Sequence, residues 1–143
     1  MPAPTDFPAR GKVLSSDGQH IVFAPSNTNY QLQLKGAYSG PVGAGHAPVY
    51  LLIRATGRKL LTVASGGNFV APIFGTPKTF QGRVKYADET QVVIHAGVPV
   101  IVKFPANEDA LDLANGSVTV GQMLNAIVFP GAFFELVGEP ATV

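Results

Sequence analysis

The chain has 143 residues, a net charge of +1 at neutral pH and no cysteine. The lack of cysteine excludes disulfide bonds, thiol catalysis and zinc–thiolate sites, and no apolar run approaches the roughly 20 residues of a membrane helix. Charged residues make up 13% of the chain, about half of the usual share of roughly 25%. Such a composition leaves apolar surface, which favours self-association or docking to another protein.

The chain is rich in residues that form turns, with 16 glycines and 12 prolines. Many turns and few helix-forming residues predict an all-β fold. Residues 1–8 contain neither a basic segment nor an apolar one, so they are not typical of a secretory signal. A cytoplasmic location is therefore expected.

Residues 1–10 contain three prolines and no hydrophobic periodicity, which is typical of an N-terminal tail. We expect Phe7 to pack from this tail onto the body of the protein. Residues 11–25 predict a β-hairpin whose turn lies at residues 16–18, where glycine supplies a positive φ.

The next strand shows strict alternation between apolar and polar residues. Tyr30, Leu32 and Leu34 are separated by glutamines, so the three apolar side chains should face a core. Residues 35–48 then form a long loop rich in glycine, and loops of this length inside a compact domain are often functional or mobile.

The segment 49–63 has apolar runs at both ends and a charged centre. This pattern predicts a second hairpin with Gly57 at its turn. The basic residues that such a hairpin would bring together at its tip are Arg54, Arg58 and Lys59. Residues 68–84 predict a third hairpin, whose last strand continues into the second half of the chain without a linker.

The second half of the chain repeats the pattern of the first half at an offset of 71 residues. The third strand matches after a one-residue deletion, which aligns residues 30–34 with residues 100–104. We interpret the chain as one small β-unit that is present twice. The identical pairs at the offset of 71 are Gly11 and Gly82, Val13 and Val84, Asp17 and Asp88, and Val22 and Val93.

In the second unit, three strands are predicted within residues 84–104. Residues 107–116 predict one or two helical turns, because Asn107 can cap the first turn, acidic residues follow it, and Asn115 and Gly116 supply a stop. Residues 125–137 predict a closing hairpin around Pro130 and Gly131.

These elements predict two similar five-stranded barrels in tandem, with a tail at residues 1–10, a first barrel at 11–81 and a second at 82–143. The order strand, strand, strand, short helix, strand, strand over residues 82–137 resembles the OB-fold, a partly open five-stranded barrel. This resemblance concerns architecture and implies no functional residue. SH3-like barrels and translation-factor-type barrels share much of the same pattern.

The two halves of the sequence differ in charge. Residues 1–81 contain seven Lys or Arg against two acidic residues, a net charge of +5, while residues 82–143 contain three against seven, a net charge of −4. The difference indicates either a basic face for an anionic partner or contact between oppositely charged surfaces of two subunits. Chance scatter over two solvated surfaces is the alternative.

The sequence predicts no catalytic residue, no metal site and no cofactor. His20, His46 and His95 have no second ligand at metal-binding spacing, and no serine lies in a Gly-x-Ser-x-Gly elbow. Asp17 and Asp88 both fall in hairpin turns, where an aspartate that binds its own backbone explains the recurrence without catalysis. The acidic residues near position 108 suit the first turn of a short helix, and a divalent cation is their alternative role.

One group of residues is typical of a binding surface. Basic side chains follow phosphates, and aromatic rings stack on bases, so basic residues near aromatic ones suit single-stranded nucleic acid. The residues that form this candidate site are Arg54, Arg58, Lys59, Lys35 and Tyr38.

Two functions remain open at this point, and no group of residues supports an enzyme. The first is a non-catalytic binding or interaction module that associates with another protein or with itself, as the low charge and the apolar strands indicate. The alternative is a module that binds single-stranded nucleic acid through its basic first half.

Overall fold

The computed structural model describes residues 3–43, 45–64, 66–104 and 118–137. In these ranges eleven strands pair into one continuous sheet, which confirms the predicted all-β class. The described residues include no helix of the length and apolar character needed to cross a membrane. The short helix predicted over residues 107–116 lies outside the described ranges.

Most strands alternate between inward and outward side chains, with the period of two that the sequence predicts. A 3-10 turn at Pro4–Asp6 precedes them. The first six strands are β1 (Ala9–Ser16), β2 (His20–Pro25), β3 (Gln31–Lys35), β4 (Val49–Thr62), β5 (Phe69–Ala71) and β6 (Phe74–Gly75). The last five are β7 (Thr79–Ala87), β8 (Gln91–His95), β9 (Pro99–Lys103), β10 (Met123–Val128) and β11 (Phe133–Val137).

Five strands close into a barrel in the order β4, β10, β7, β8 and β9. Four of the five pairings are antiparallel. The fifth joins β4 to β9 in parallel, where Arg54, Ala55 and Thr56 pair with residues 101–103. The barrel therefore takes four strands from the C-terminal part of the chain and one from the N-terminal part.

The remaining strands lie outside this barrel, and two of them, β1 and β11, pair with the other end of β4. β1 pairs with β4 and with β2, β2 pairs with β3, and β11 pairs with β4, all in antiparallel fashion. β3 and β11 meet in parallel at Lys35 and Phe133. Two short strands complete the sheet, because β5 pairs with β7 and β6 pairs with β3.

Strand pairing links the two halves of the sequence. The boundary expected between residues 81 and 82 falls within β7. β4 of the first half pairs with β9, β10 and β11 of the second half, so the two halves share one set of strand pairings. A buried hydrogen bond adds to this connection, since the Tyr30 hydroxyl donates to the Ala96 carbonyl oxygen at 2.9 Å.

The hairpin predicted over residues 49–63 is wrong, because this segment is the continuous 14-residue strand β4. Gly57 does not make a turn. It is buried against the ring of Phe104, with which a Cβ at position 57 would clash. Glycine is therefore required here for close packing and not for a left-handed backbone.

The closing hairpin predicted over residues 125–137 is also wrong in its pairing. β10 pairs with residues 57–62 of β4, and β11 pairs with residues 50–54 of the same strand. The two strands thus run one after the other along β4, and the segment 129–132 connects them without folding β11 back onto β10.

The interior of the sheet is filled by one large cluster of buried side chains, to which every strand except β6 contributes. A smaller cluster lies on the outer side of the closed barrel and contains Leu52, Val93 and Ile101. Phe7 packs against this second cluster, which confirms that the N-terminal tail is anchored by its aromatic residue.

The hairpins β1–β2 and β7–β8 share three local features. Each has an irregularity in register at the same position, between Val13 and Ser15 in one and between Val84 and Tyr86 in the other. Each also begins beside a buried glycine whose missing side chain makes room for a carbonyl oxygen of the partner strand. The third feature is an aspartate in the turn, Asp17 in one hairpin and Asp88 in the other.

The strand pairing favours a different alignment of β3 with β9 from the one that the sequence predicts. Leu34 pairs with Ile21, and Val102 pairs with Val92. If Ile21 and Val92 are equivalent, as their offset of 71 residues predicts, Leu34 aligns with Val102 and not with Phe104. Both registers place the same set of side chains inward, since they differ by an even number of residues.

Candidate ligand-binding surface

The three basic residues of β4 lie along one strand and not at a hairpin tip. The Arg54 side chain is partly exposed, while Arg58 and Lys59 are exposed. The alternation of β4 places Leu51, Ile53 and Ala55 in the core, so Arg54 and Thr56 point to the outer surface between them.

A first row of outward side chains crosses three neighbouring strands. Phe133 on β11 pairs with Lys35 on β3 and with Arg54 on β4. Directly paired residues on adjacent strands lie about 5 Å apart and share one face of the sheet. The ring of Phe133, which is 41% exposed, is therefore flanked by a cation on each side.

A second row lies two residues further along β4, at Thr56. The Phe129 backbone N–H donates to the Thr56 carbonyl oxygen at 2.9 Å, and Thr56 pairs on its other side with Lys103 of β9. Lys103 is exposed and Phe129 is 44% exposed. The rows are two residues apart on β4, or about 7 Å.

We call the surface formed by both rows, together with the exposed cations that follow them on β4, the β4 face. Its cations are contributed by both halves of the sequence, with Lys103 from the second half and the others from the first. The members of the β4 face are Lys35, Arg54, Thr56, Arg58, Lys59, Lys103, Phe129 and Phe133.

One carboxylate already contacts the β4 face. Arg54 donates through Nε and Nη2 to Oε1 of Glu135, at 3.2 and 3.0 Å. Glu135 lies two residues after Phe133 on β11, and its side chain is more exposed than that of Arg54. The pair holds the Arg54 guanidinium beside β11, at the modest strength typical of exposed ion pairs.

A depression of about 300 Å³ adjoins the first row. His20, Gln33 and Lys35 line it on one side, and residues 130–132, which connect Phe129 to Phe133, line it on another. A second depression of similar size shares His20 and Gln33 and extends to Asp17. Their volumes lie at the lower end of the range of about 300–1,000 Å³ for small-molecule sites.

The residues of the second depression include a histidine, an aspartate and two serines, but not in the geometry of a nucleophilic triad. His20 Nδ1 lies 3.8 Å from Asp17 Oδ2. The Ser16 hydroxyl contacts the Tyr38 carbonyl oxygen instead of the imidazole. Within the described ranges, His20 has no hydrogen bond to a serine, which a nucleophile and its base require.

Tyr38, which the sequence places in the candidate site, lies in the loop after β3 and not in either row. Its ring packs against the core cluster, and its hydroxyl donates to the Pro41 carbonyl oxygen at 2.7 Å. Burial raises the pKa of the Tyr38 hydroxyl. The structure thus assigns this ring to the anchoring of its own loop.

The two turn aspartates bind their own backbones, as the sequence predicts. Asp17 Oδ1 accepts hydrogen bonds from the N–H groups of Gln19 and His20, at 2.8 and 2.7 Å. These bonds lower the pKa of Asp17. Asp88 Oδ1 accepts the equivalent bonds from Thr90 and Gln91, at 2.9 and 3.0 Å.

Asp88 is the centre of a larger network. Its Oδ2 also accepts hydrogen bonds from the Tyr86 hydroxyl and the Gln91 side chain. Burial opposes ionisation of Asp88, but the hydrogen bonds from Thr90, Tyr86 and Gln91 outweigh it and lower the pKa of this carboxyl. The hydrogen bond between Tyr86 and Asp88 also raises the pKa of the Tyr86 hydroxyl.

Among the described residues, no group of three or more His, Asp or Glu is arranged to hold a metal ion. The acidic residues near position 108, the alternative cation site in the sequence, lie outside the described ranges.

Comparison with known proteins gives no match. No protein-family model, no curated protein and no solved structure is significantly similar to this chain.

Four members of the β4 face were not among the site residues that the sequence predicts: Thr56, Lys103, Phe129 and Phe133. One signal could have identified Phe133, because residues 133 and 134 are both phenylalanine and successive side chains of a strand face opposite sides. One of the two rings has to point outward. No local pattern indicates that Lys35 and Arg54 are its neighbours.

Proposed function

We propose that the protein is a non-catalytic binding module and that its β4 face binds single-stranded nucleic acid. The observation that carries the proposal is the position of Phe133 between Lys35 and Arg54 on adjacent strands. An exposed ring can stack on any base, and cations on both sides of it can contact the phosphates before and after that base.

The remaining cations of the β4 face support this proposal. Arg58, Lys59 and Lys103 extend the positive charge from the first row along β4, in the direction of Phe129. A positively charged track interleaved with aromatic rings is the arrangement that binds single strands with little sequence preference. The depression beside Lys35 adds room next to Phe133 for a base or a sugar.

Binding of a labelled oligothymidylate, measured by fluorescence anisotropy over a series of salt concentrations, tests the proposal. The affinity should fall steeply with salt, because counterions are released from the strand. Phe133→Ala should weaken binding by about tenfold, since stacking contributes about 1–3 kcal/mol per base. Replacement of Arg54, Arg58 and Lys59 by glutamate should abolish binding at all salt concentrations.

Two matched controls lie away from the β4 face. Phe74→Ala removes an exposed phenylalanine that pairs with β3 at its other end, and Lys85→Glu reverses an exposed charge on β7. Both should bind like the unmodified protein. Absence of binding by the unmodified protein at low salt, or equal losses in Phe133→Ala and Phe74→Ala, would contradict the proposal.

A second candidate function is self-association, which the apolar residues around β5 favour. In the described part of the chain, β5 pairs with β7 alone, and Phe69, Ile73 and Phe74 near this edge are exposed. An open strand edge with apolar side chains is a template for pairing with a second copy. The low share of charged residues points in the same direction.

Light scattering after gel filtration tests self-association. This candidate predicts a mass above the 14.9 kDa of the monomer at high protein concentration. Phe69→Lys, which places a charge on the edge strand, should restore the monomer. A monomeric mass at all concentrations would exclude the candidate and would leave nucleic-acid binding unaffected.

The proposal extends to the architecture. In the proposed correspondence, β1, β2 and β3 match β7, β8 and β9. β11 matches the second part of β4, and the first part of β4 matches β10. We infer that they are two OB-like barrels that arose from one duplicated unit. The repeated register irregularity, buried glycine and turn aspartate support this inference. An experimental structure in which β3 and β9 pair with their neighbouring strands in different patterns would contradict it.

A further inference from the structure

We infer that the second row, Phe129, Thr56 and Lys103, is a second half-site, and that one nucleic-acid strand occupies both rows with neighbouring bases. This inference rests on the proposed function, because it assigns to the same ligand a further set of residues.

Lys35 of the first row and Lys103 of the second row occupy similar positions in the strand pairing, which supports treating the two rows as similar sites. Lys35 pairs with His20, and Lys103 pairs with Gln91. His20 and Gln91 are each the third residue after a turn aspartate, and both backbone N–H groups bind that aspartate. The two lysines therefore hold the same place in two similar sets of strands, and both are exposed.

The two phenylalanines border the same short segment. Residues 130–132 connect Phe129 to Phe133, and the backbone of each phenylalanine is a neighbour of β4. Arg54 is the β4 neighbour of Phe133, and Thr56 is the β4 neighbour of Phe129. Each half-site thus offers one exposed ring, one lysine and one polar residue of β4.

The distance between the rows fits one continuous strand. Two residues of β4 span about 7 Å, a separation that neighbouring nucleotides of an extended single strand can match. Two weak contacts on one ligand add through effective concentration, so a ligand that reaches both rows should bind far better than one that reaches a single row.

The test compares thymidine 5′-monophosphate with the dinucleotide pTpT by chemical-shift titration of the full-length protein. The mononucleotide can occupy either row, so Phe129→Ala and Phe133→Ala should each lower its apparent affinity by no more than about twofold. The dinucleotide should bind the unmodified protein at least about tenfold more tightly than the mononucleotide. Both variants should remove that gain.

The charge of the second row gives an independent readout. Lys103→Gln should reduce the salt dependence of oligothymidylate binding by about 0.7 in the slope of log K against log salt, the share of one phosphate contact. Lys85→Gln on β7 is the matched control and should leave the slope unchanged. Leu136→Ala, which shortens an exposed side chain of β11, should leave the dinucleotide gain unchanged.

The outcomes separate the inference from the proposed function. If Phe133→Ala removes the dinucleotide gain while Phe129→Ala and Lys103→Gln behave like the unmodified protein, the second half-site is overturned and the binding function stands. If the unmodified protein binds neither ligand nor a longer oligothymidylate at low salt, both are overturned.

Discussion

At the scale of single residues, the turns between β1 and β2 and between β7 and β8 are held by one carboxylate each. Asp17 and Asp88 bind the N–H groups of the second and third residues after them. In each turn, an ionised carboxylate accepts hydrogen bonds from two backbone N–H groups. Without it, these groups could bind only water. Both aspartates therefore have a structural role.

Replacement of Asp88 by asparagine should destabilise the protein. Asparagine keeps the size of the side chain but loses the charge, and we expect the free energy of unfolding at pH 7 to fall by about 1 kcal/mol. The effect should depend on pH, because the hydrogen bonds of the folded state lower the pKa of Asp88 below its usual 3.8. The stabilisation is present above that value and is lost as the pH falls through the lower pKa of the folded state.

Urea unfolding at pH 7 and at pH 3 measures this effect. The difference in stability between the unmodified protein and Asp88→Asn should shrink at pH 3. An equal difference at both values would show that the charge of Asp88 is not the stabilising property. Asp17→Asn is a matched variant and should change in the same direction.

If Arg54 binds a phosphate, as we propose, Glu135 should compete with that phosphate for the guanidinium. Glu135→Gln removes a negative charge beside the first row and leaves Arg54 without its ion-pair partner. Because an exposed ion pair contributes at most about 1 kcal/mol, the affinity for an oligothymidylate should rise by about threefold. Fluorescence anisotropy at low salt measures the change, and an unchanged or lower affinity would exclude contact between Arg54 and the ligand.

At the scale of elements, the sequence predicts most strands correctly but assigns two turns wrongly. Strand alternation is local, so β2, β3, β8 and β9 can be recognised from the sequence. Gly57 between charged residues looks like a turn because its packing partner, Phe104, lies far along the chain. Pro130 and Gly131 do form a break in the strand, but only the pairing with β4 decides that β11 continues past β10.

The sequence predicts four of the five cations of the candidate site, but it does not predict Lys103 or the two phenylalanines. Arg54, Arg58 and Lys59 cluster in the sequence, and they are neighbours because they share β4. Phe133 joins them through pairing across about 80 residues of chain, which composition and periodicity do not encode. Tyr38 is close to Lys35 in sequence, but its loop turns the ring to the core.

The packing of Gly57 against Phe104 should appear as coupling between the two positions. Gly57→Ala should destabilise the protein by about 2 kcal/mol, because a methyl group enters a filled core. Phe104→Leu should also destabilise it, but it shortens the side chain that the methyl group would meet. The double variant should therefore be about 1 kcal/mol more stable than the sum of the single effects predicts.

Chemical denaturation of the four proteins in this cycle provides the measurement. Gly67→Ala is the control, since a side chain at that glycine would enter open space, and it should leave stability nearly unchanged. Strictly additive effects at positions 57 and 104 would contradict the packing described for β4.

At the scale of the whole molecule, β4 and β11 bind the two groups of strands into one unit. The buried cluster is continuous through both groups, and β4 contributes to ladders on both sides. We therefore expect the chain to unfold in one cooperative transition, in spite of its repeated pattern.

A variant in one group tests this cooperativity. Ile21→Val removes one methyl group from the core beneath β2 and should lower stability by about 1 kcal/mol. Amide signals of β1–β3 and of β7–β9 should then lose their native intensity at the same, lower urea concentration. Separate midpoints for the two sets of signals would show that the groups unfold independently.

We propose that the β4 face binds single-stranded nucleic acid. A titration of the isotope-labelled, full-length protein with an oligothymidylate, followed through its amide signals, locates the binding surface. The largest changes should occur at Lys35, Arg54, Phe129 and Phe133, and they should reverse on addition of salt. Changes confined to β5 and β7, or no changes at low salt, would contradict it.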